Sequence, residues 1–156
     1  MSYKTIIEDW INNVQIDLIS NYNQMGLKAS GKWANTLENE TKETQKGYST
    51  SISGQRYTGA LVLGRKPNTN QENLKEWIGW AGSTFIAEWV KNKGLTLNPY
   101  AVAGKIAKQG ITVPNTYNDG ELLSRVVTKQ RVDELGKELG RSVLNGFKSE
   151  LIKELK

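Results

Sequence analysis

The stretch that decides the fold runs from Gly64 to Gly110 and contains GRKPN (64–68), EWVKNKGL (88–95) and the start of NPYAVAGKIAKQGI (98–111). It holds three of the five tryptophans and two of the three prolines. Because a proline biases the residue before it toward extended backbone, Pro67 predicts that a regular element ends there and that a turn or exposed loop follows. The remaining pattern of the stretch predicts two helices.

The first of these helices is indicated by apolar residues at steps of three and four, namely Leu74, Trp77, Ile78, Ala81, Phe85 and Trp89. This spacing puts side chains on one face of a helix. Lys91 and Lys93 follow where cations complement the helix dipole, and Gly94 falls where a left-handed C-terminal cap is expected. The pattern predicts a single helix that ends at Gly94.

The second helix opens at Asn98, which can cap it, and at Pro99, which suits the first helical position. Its apolar stripe consists of Tyr100, Ala103, Ile106 and Ala107, and Gly110 ends it. After it, the cluster of proline, asparagine, aspartate and glycine from Pro114 to Gly120 predicts a loop.

The N-terminal third of the chain predicts a helix and a hairpin. An apolar stripe from Tyr3 to Tyr22 has helical spacing, and Ser30 can cap a further short helix. Polar residues from Glu38 to Gln45, a turn signal at Lys46-Gly47 and alternation from Tyr48 to Ile52 indicate an antiparallel hairpin with one solvated face. Residues 57–63 fit either a third extended segment or a short helix.

The C-terminal part, from about residue 120, carries a helical stripe from Val132 to Leu155 and predicts one long helix. Gly136 and Gly140 lie one turn apart in it, which fits close approach by another helix or accidental tolerance. The predicted fold class is therefore α+β: an N-terminal helix, a small antiparallel sheet, two middle helices and a long C-terminal helix. With 156 residues, we expect a single domain over 1–156.

Composition restricts the chemistry. The chain has no cysteine and no histidine, which excludes thiolate nucleophiles and removes the commonest general base and metal ligand. We therefore expect no enzymatic activity, no cofactor and no bound metal. No apolar run approaches the roughly 18 residues of a membrane span, so we expect a soluble protein without a membrane partner.

The sequence also bears on two other functional classes, a cell-wall hydrolase and a nucleic-acid-binding module. Glu38 and Glu40 share a strand face, as a cell-wall hydrolase with two carboxylates would require, but their segment is polar and solvated surface is favoured. The net charge of +5 permits contact with nucleic acid, contact with an acidic partner, or only good solubility. Arg56, Tyr57 and Arg65 could form a platform for single-stranded nucleic acid, although aromatic residues on strands are more often core.

The order of these pieces resembles that of the tail-completion or head–tail joining proteins of tailed bacteriophages. The likeness extends upstream to Ala29-Ser30-Gly31-Lys32 and so spans most of the chain. The residues of the main stretch that carry it are Gly64, Arg65, Pro67, Trp89, Val90, Lys93, Gly94, Leu95, Ala103, Lys105, Ile106, Ala107, Gly110 and Ile111.

The resemblance implies a structural virion protein that forms a ring at the phage neck or tail and joins head to tail. Its partners would be further copies of itself in a cyclic homo-oligomer and other neck, portal-adjacent or tail proteins, with non-specific contact to genomic DNA also compatible. It would reside in the virion, and in the host cytoplasm during assembly.

A closed ring of identical subunits needs a heterologous contact between two different surfaces. Tryptophan is enriched at interfaces, so we place one surface at Trp77 and Trp80 beside the exposed turn of Arg65, Lys66 and Pro67, which we expect at the edge of the sheet. The other is the open edge of the hairpin, including Thr50 and Ile52.

Overall fold

The computed structural model describes residues 2–68, 70 and 73–154. The chain divides into two compact units. Unit 1 consists of Met1–Asn21, Leu37–Gly54 and Leu123–Lys156, and unit 2 consists of Tyr22–Thr36 and Gln55–Leu122. The single domain expected over 1–156 stays a prediction beside this division.

The described residues form seven helices and two strands. In chain order these are α1 (Tyr3–Gln24), α2 (Lys32–Asn35), β1 (Glu38–Thr44), β2 (Gly47–Ser53), α3 (Thr58–Leu63), α4 (Leu74–Ser83), α5 (Phe85–Asn92), α6 (Pro99–Gln109) and α7 (Lys129–Glu154). The α+β class is confirmed, with its N-terminal helix, small antiparallel sheet and long C-terminal helix. Residues 57–63, which fit either an extended segment or a short helix, contain the short helix α3.

The core of unit 1 lies along α1. Ile11, Val14 and Leu18 of that helix are buried together with Val126, and Ile52 of β2 packs against them. These α1 residues recur at steps of three and four, so one side of the helix carries the whole contact.

The hairpin packs one of its faces inward. β1 and β2 pair antiparallel from Glu38 opposite Ser53 to Thr44 opposite Gly47, as the turn signal predicted. Asn39 on the inner face donates from Nδ2 to Asn12 Oδ1 at 2.9 Å. Since this sheet has only two strands in the part of the chain that is described, each strand keeps one unpaired edge.

Unit 2 is built around α4, α5 and α6, whose buried residues are Ala81, Ile86, Val90 and Ala103. Small side chains allow the helices to approach closely. A Cβ added to Gly82 would lie 2.5 Å from the Tyr100 ring, which is shorter than a non-bonded contact between two carbon atoms can be.

A second buried cluster in unit 2 joins Tyr22 to α2. The Tyr22 and Trp33 ring centroids lie 4.4 Å apart, and Trp33 Nε1 donates to Thr58 Oγ1 at 3.0 Å. Burial, with a smaller contribution from Tyr57, raises the pKa of Tyr22. The indole therefore ties α2 to the start of α3.

The single helix predicted between residue 74 and Gly94 is wrong. The chain breaks at Thr84, where φ is −116° and ψ is −107°, and α4 and α5 are separate helices. Thr84 Oγ1 donates to Trp80 O at 2.6 Å and Ser83 Oγ donates to Gly79 O at 2.8 Å. Such side-chain hydrogen bonds compete with the helical ladder, so two adjacent hydroxyl residues end α4.

The cap of α6 was predicted correctly. Asn98 Oδ1 accepts hydrogen bonds from the backbone N–H of Tyr100 at 2.9 Å and of Ala101 at 3.3 Å, and Pro99 occupies the first turn.

We expect Asn98→Ala to lower the free energy of unfolding by about 1 kcal/mol, because both N–H groups lose their acceptor. Asn98→Asp keeps an acceptor and should cost much less in the same denaturant titration; an equal loss in both variants would contradict the cap.

Helix α7 is mostly exposed. A Cβ built on Gly136 or Gly140 meets no heavy atom of a neighbouring group within 4 Å, so no other helix among the described residues approaches these glycines. Each glycine in a helix interior costs about 1 kcal/mol relative to alanine.

None of the helices in the described part of the chain is long and apolar enough to cross a membrane.

Candidate functional site

The backbone after α3 is clasped to the end of α6. Arg65 N donates to Ile111 O at 2.8 Å, Ile111 N donates to Arg65 O at 2.7 Å, and Asn68 N donates to Ala107 O at 2.7 Å. Two sequence segments that lie far apart in the chain thus form one small antiparallel bridge, which we call the clasp (residues 64–68 and 107–111).

The clasp requires two glycines. Gly64 has φ of 78° and Gly110 has φ of 74°, a region that L side chains rarely adopt. A Cβ on Gly64 would lie 2.2 Å from Ile111 O, and one on Gly110 would lie 2.2 Å from Arg65 O. Both positions therefore exclude any side chain, because the opposing strand would have to move away.

The Arg65 backbone pairs with Ile111 of its own unit and not with a strand of the hairpin, so the prediction that its turn forms part of the edge of the sheet is wrong. Its guanidinium carbon stands 4.0 Å from the centroid of the Trp77 ring, and Nη2 donates to Asn68 Oδ1 at 2.6 Å. Nη1 is buried without a hydrogen-bond partner in the described residues, and burial lowers the pKa of Arg65. The clasp positions this cation on the indole, where charge and ring quadrupole attract.

An aromatic row continues from Trp77. Phe85 meets Trp77 at 6.3 Å and Trp80 at 5.4 Å between ring centroids, both in edge-to-face geometry. Trp80 is 57% exposed and Phe85 is 47% exposed. Trp77 and Trp80 also line an open groove of about 270 Å³ with Asn73 and Glu76. We call Arg65, Trp77, Trp80 and Phe85 the aromatic surface.

The structure brings together the first half of the predicted interface. Arg65, Trp77 and Trp80 belong to the aromatic surface, and Lys66 and Pro67 are exposed next to Arg65 along the chain. Phe85 was missed, because the single-helix prediction put it on the buried face. The signal that could have found it was the adjacent hydroxyl pair at Ser83 and Thr84.

The side chains of the second half point inward. Ile52 packs against the core of unit 1, and the hydroxyls of Thr50 and Thr41 lie 3.0 Å apart. That the open edge of the hairpin at Thr50 and Ile52 meets a neighbouring copy stays a prediction. What the hairpin leaves open is its backbone edge and its outer face.

The residues suggested for a cell-wall hydrolase and for a nucleic-acid platform do not form the predicted sites. Glu38 and Glu40 are exposed on the outer hairpin face, and a Glu40 oxygen forms an ion pair with Lys42 Nζ at 2.8 Å. Arg56 and Tyr57 lie in the turn before α3, so they do not form the predicted platform on a strand. No group of three or more metal-binding acidic side chains occurs within the residues that the structure describes.

Comparison of the chain with protein-family models, with curated proteins and with solved structures gave no match. The resemblance to phage joining proteins consequently rests on the order of the motif residues alone.

Charge is distributed unequally between the two units. Unit 2 contains ten lysines and arginines against five aspartates and glutamates, whereas unit 1 contains eleven of each. The whole net charge of +5 thus belongs to unit 2, the unit that carries the aromatic surface. Electrostatic attraction to an acidic partner should act on that unit.

Proposed function

We propose that this chain is a structural virion protein of a tailed bacteriophage that assembles as a ring at the head–tail neck or tail and joins head to tail. The observation that carries the proposal is the clasp. It pairs two of the motif segments on which the resemblance rests, and it holds Arg65 against Trp77 at the start of an exposed aromatic surface.

The two units offer the unlike surfaces that a head-to-tail contact needs. Unit 2 presents the basic, aromatic surface, and unit 1 presents a hairpin with open strand edges and the exposed carboxylates of Glu38 and Glu40. An exposed aromatic side chain beside cations is a typical anchor of an interface, and an unpaired strand edge is a typical acceptor of backbone hydrogen bonds. Opposite charges on the two surfaces would orient the contact.

Replacing Trp80 tests the proposal. We expect Trp80→Ala to keep the fold, because the side chain is more than half exposed, but to lower incorporation into particles at least tenfold, as expected for an interface anchor. The measurement is the amount of variant chain that co-sediments with particles when it complements a phage lacking a functional copy.

Tyr117→Ala is the matched control, since Tyr117 is an exposed aromatic residue of unit 2 outside the aromatic surface. This variant should be incorporated like the original chain. Normal incorporation of Trp80→Ala would contradict the role of the aromatic surface.

A basic nucleic-acid-binding module is the second candidate, favoured by the concentration of positive charge in unit 2. Such a module would bind single-stranded oligonucleotides with an affinity that falls steeply with salt, and Trp80→Ala would weaken it through lost base stacking. For a joining protein we expect only weak binding without sequence preference, and unchanged binding in Trp80→Ala. Fluorescence anisotropy at two salt concentrations separates the two functions.

A further inference from the structure

The strongest unexplained feature is the exposed apolar face of α7. Val132 is 47% exposed, Val143 50% and Phe147 63%. These residues lie at helical spacing with Gly136 and Gly140, so the five form one stripe along the helix. We call them the open face of α7.

A helix of this composition needs a covering surface. Glycine is among the poorest helix formers, and in proteins most of the stability of a helix comes from packing of its apolar face rather than from helix propensity. Near its start α7 is tied to its own unit by Arg131, whose Nη1 lies 2.7 Å from Asp17 Oδ2. Further along, Val143 and Phe147 are exposed, and open space lies above both glycines.

We propose that the open face of α7 pairs with the same face of a second copy of this chain, with the two helices antiparallel. The order of side-chain sizes is self-complementary: an axis beside Gly140 sets Val132 opposite Phe147 and Gly136 opposite Val143 of the second copy. Large side chains then meet small ones. Gly140 of each copy lies next to the axis, and its lack of a side chain allows the two helices to approach closely.

The charges beside the open face select the antiparallel orientation. Asp133 and Lys148 lie on the same flank at opposite ends of the stripe. An antiparallel pair brings Asp133 of one copy within about one turn of Lys148 of the other, at both ends. In a parallel pair this flank of one copy would lie on the opposite side of the interface from the same flank of the other, so Asp133 and Lys148 would have no opposite charge across the contact.

Sedimentation equilibrium of the full chain between about 1 and 100 µM tests the pairing. We expect a monomer–dimer equilibrium, and we expect Phe147→Glu to raise the dissociation constant at least a hundredfold, because it would bury an unpaired charge. Ile152→Glu is the matched control: this apolar residue of the same helix is also exposed but lies off the open face, so dimerisation should be unchanged. A chain that stays monomeric throughout, or equal dissociation constants for Phe147→Glu and the original chain, would overturn the proposal.

A charge exchange keeps the test valid if Phe147→Glu disturbs α7 itself. Asp133→Lys and Lys148→Asp should each raise the dissociation constant severalfold, and the double variant should restore it. Failure of the double variant to recover would overturn the antiparallel arrangement.

Cysteine cross-linking reports the register, because the chain has no cysteine of its own. Gly140→Cys, next to the axis, should oxidise to a covalent dimer, whereas Ile152→Cys should not, since the two copies of residue 152 lie at opposite ends of the pair. The reverse result would overturn the register.

The pairing concerns the free chain and does not rest on the proposed neck ring, which uses other surfaces.

Discussion

Gly110→Ala is expected to destabilise unit 2 by about 3–5 kcal/mol, near the upper end of single-residue effects. The methyl group would stand 2.2 Å from Arg65 O, so the clasp would have to open and its two Arg65–Ile111 hydrogen bonds would be lost. At φ 74° and ψ −163° the backbone lies in a region that is almost restricted to glycine, and the strain of an alanine there, about 1–3 kcal/mol, is part of that loss. Loss of the clasp should also release Arg65 from the Trp77 ring.

Gly94→Ala is the matched control for this prediction. Gly94 also has a positive φ, 63°, but a Cβ there meets nothing within 4 Å, so only the backbone strain of about 1–2 kcal/mol should appear. Denaturant unfolding followed by tryptophan fluorescence measures both, since four of the five tryptophans belong to unit 2. Equal losses in Gly110→Ala and Gly94→Ala would show that the clasp contributes little.

Trp33→Ala is expected to cost about 3–5 kcal/mol, as large-to-small changes of buried aromatic residues do. Trp33 is 2% exposed, and its removal leaves a cavity beside Tyr22 and deprives Thr58 Oγ1 of its donor. Trp33→Phe keeps the apolar ring and should lose about half as much in the same unfolding experiment.

The comparison with Trp80→Ala separates stability from assembly. Trp80 is 57% exposed, so its replacement should cost about 2 kcal/mol of unfolding free energy, less than Trp33→Ala, while it lowers incorporation into particles. If Trp33→Ala and Trp80→Ala lose equal stability, the burial assigned to these two tryptophans is wrong.

The elements that were predicted correctly are those with local determinants. The α6 cap needs only Asn98 and Pro99, the hairpin follows from a turn signal between two polar alternating runs, and α1 follows from one apolar stripe. Each of these patterns acts over a few residues of the chain, which is the range that sequence periodicity and capping report.

The features that escaped prediction depend on competition or on distant residues. The break at Thr84 arises because two hydroxyls compete with the helical ladder, although apolar spacing continues through it. The pairing of Arg65 with Ile111 joins segments that no local pattern relates. Alternation correctly placed Thr50 and Ile52 on one face of the hairpin, but it does not tell which face a core will cover.

The candidate site was therefore predicted in part. Trp77 and Trp80 lie on a common surface with Arg65, whereas Phe85, which the helical spacing assigned to the core, also packs on both tryptophans. The role of the clasp glycines became apparent from the positions that a Cβ would occupy. In the sequence, a glycine at each end of the stretch indicates only an element boundary and gives no sign of the pairing between the two segments.

The structure of the assembled particle tests the neck-ring proposal most directly. A cryo-electron microscopy reconstruction should show copies of this chain in a closed ring at the neck or tail, in head-to-tail contacts that bury on the order of 1,000 Å² or more. We expect the aromatic surface of one copy and the hairpin edge of the next to lie in that contact. A particle without such a ring, or one in which copies meet only by a symmetric two-fold contact with both surfaces open to solvent, would contradict it.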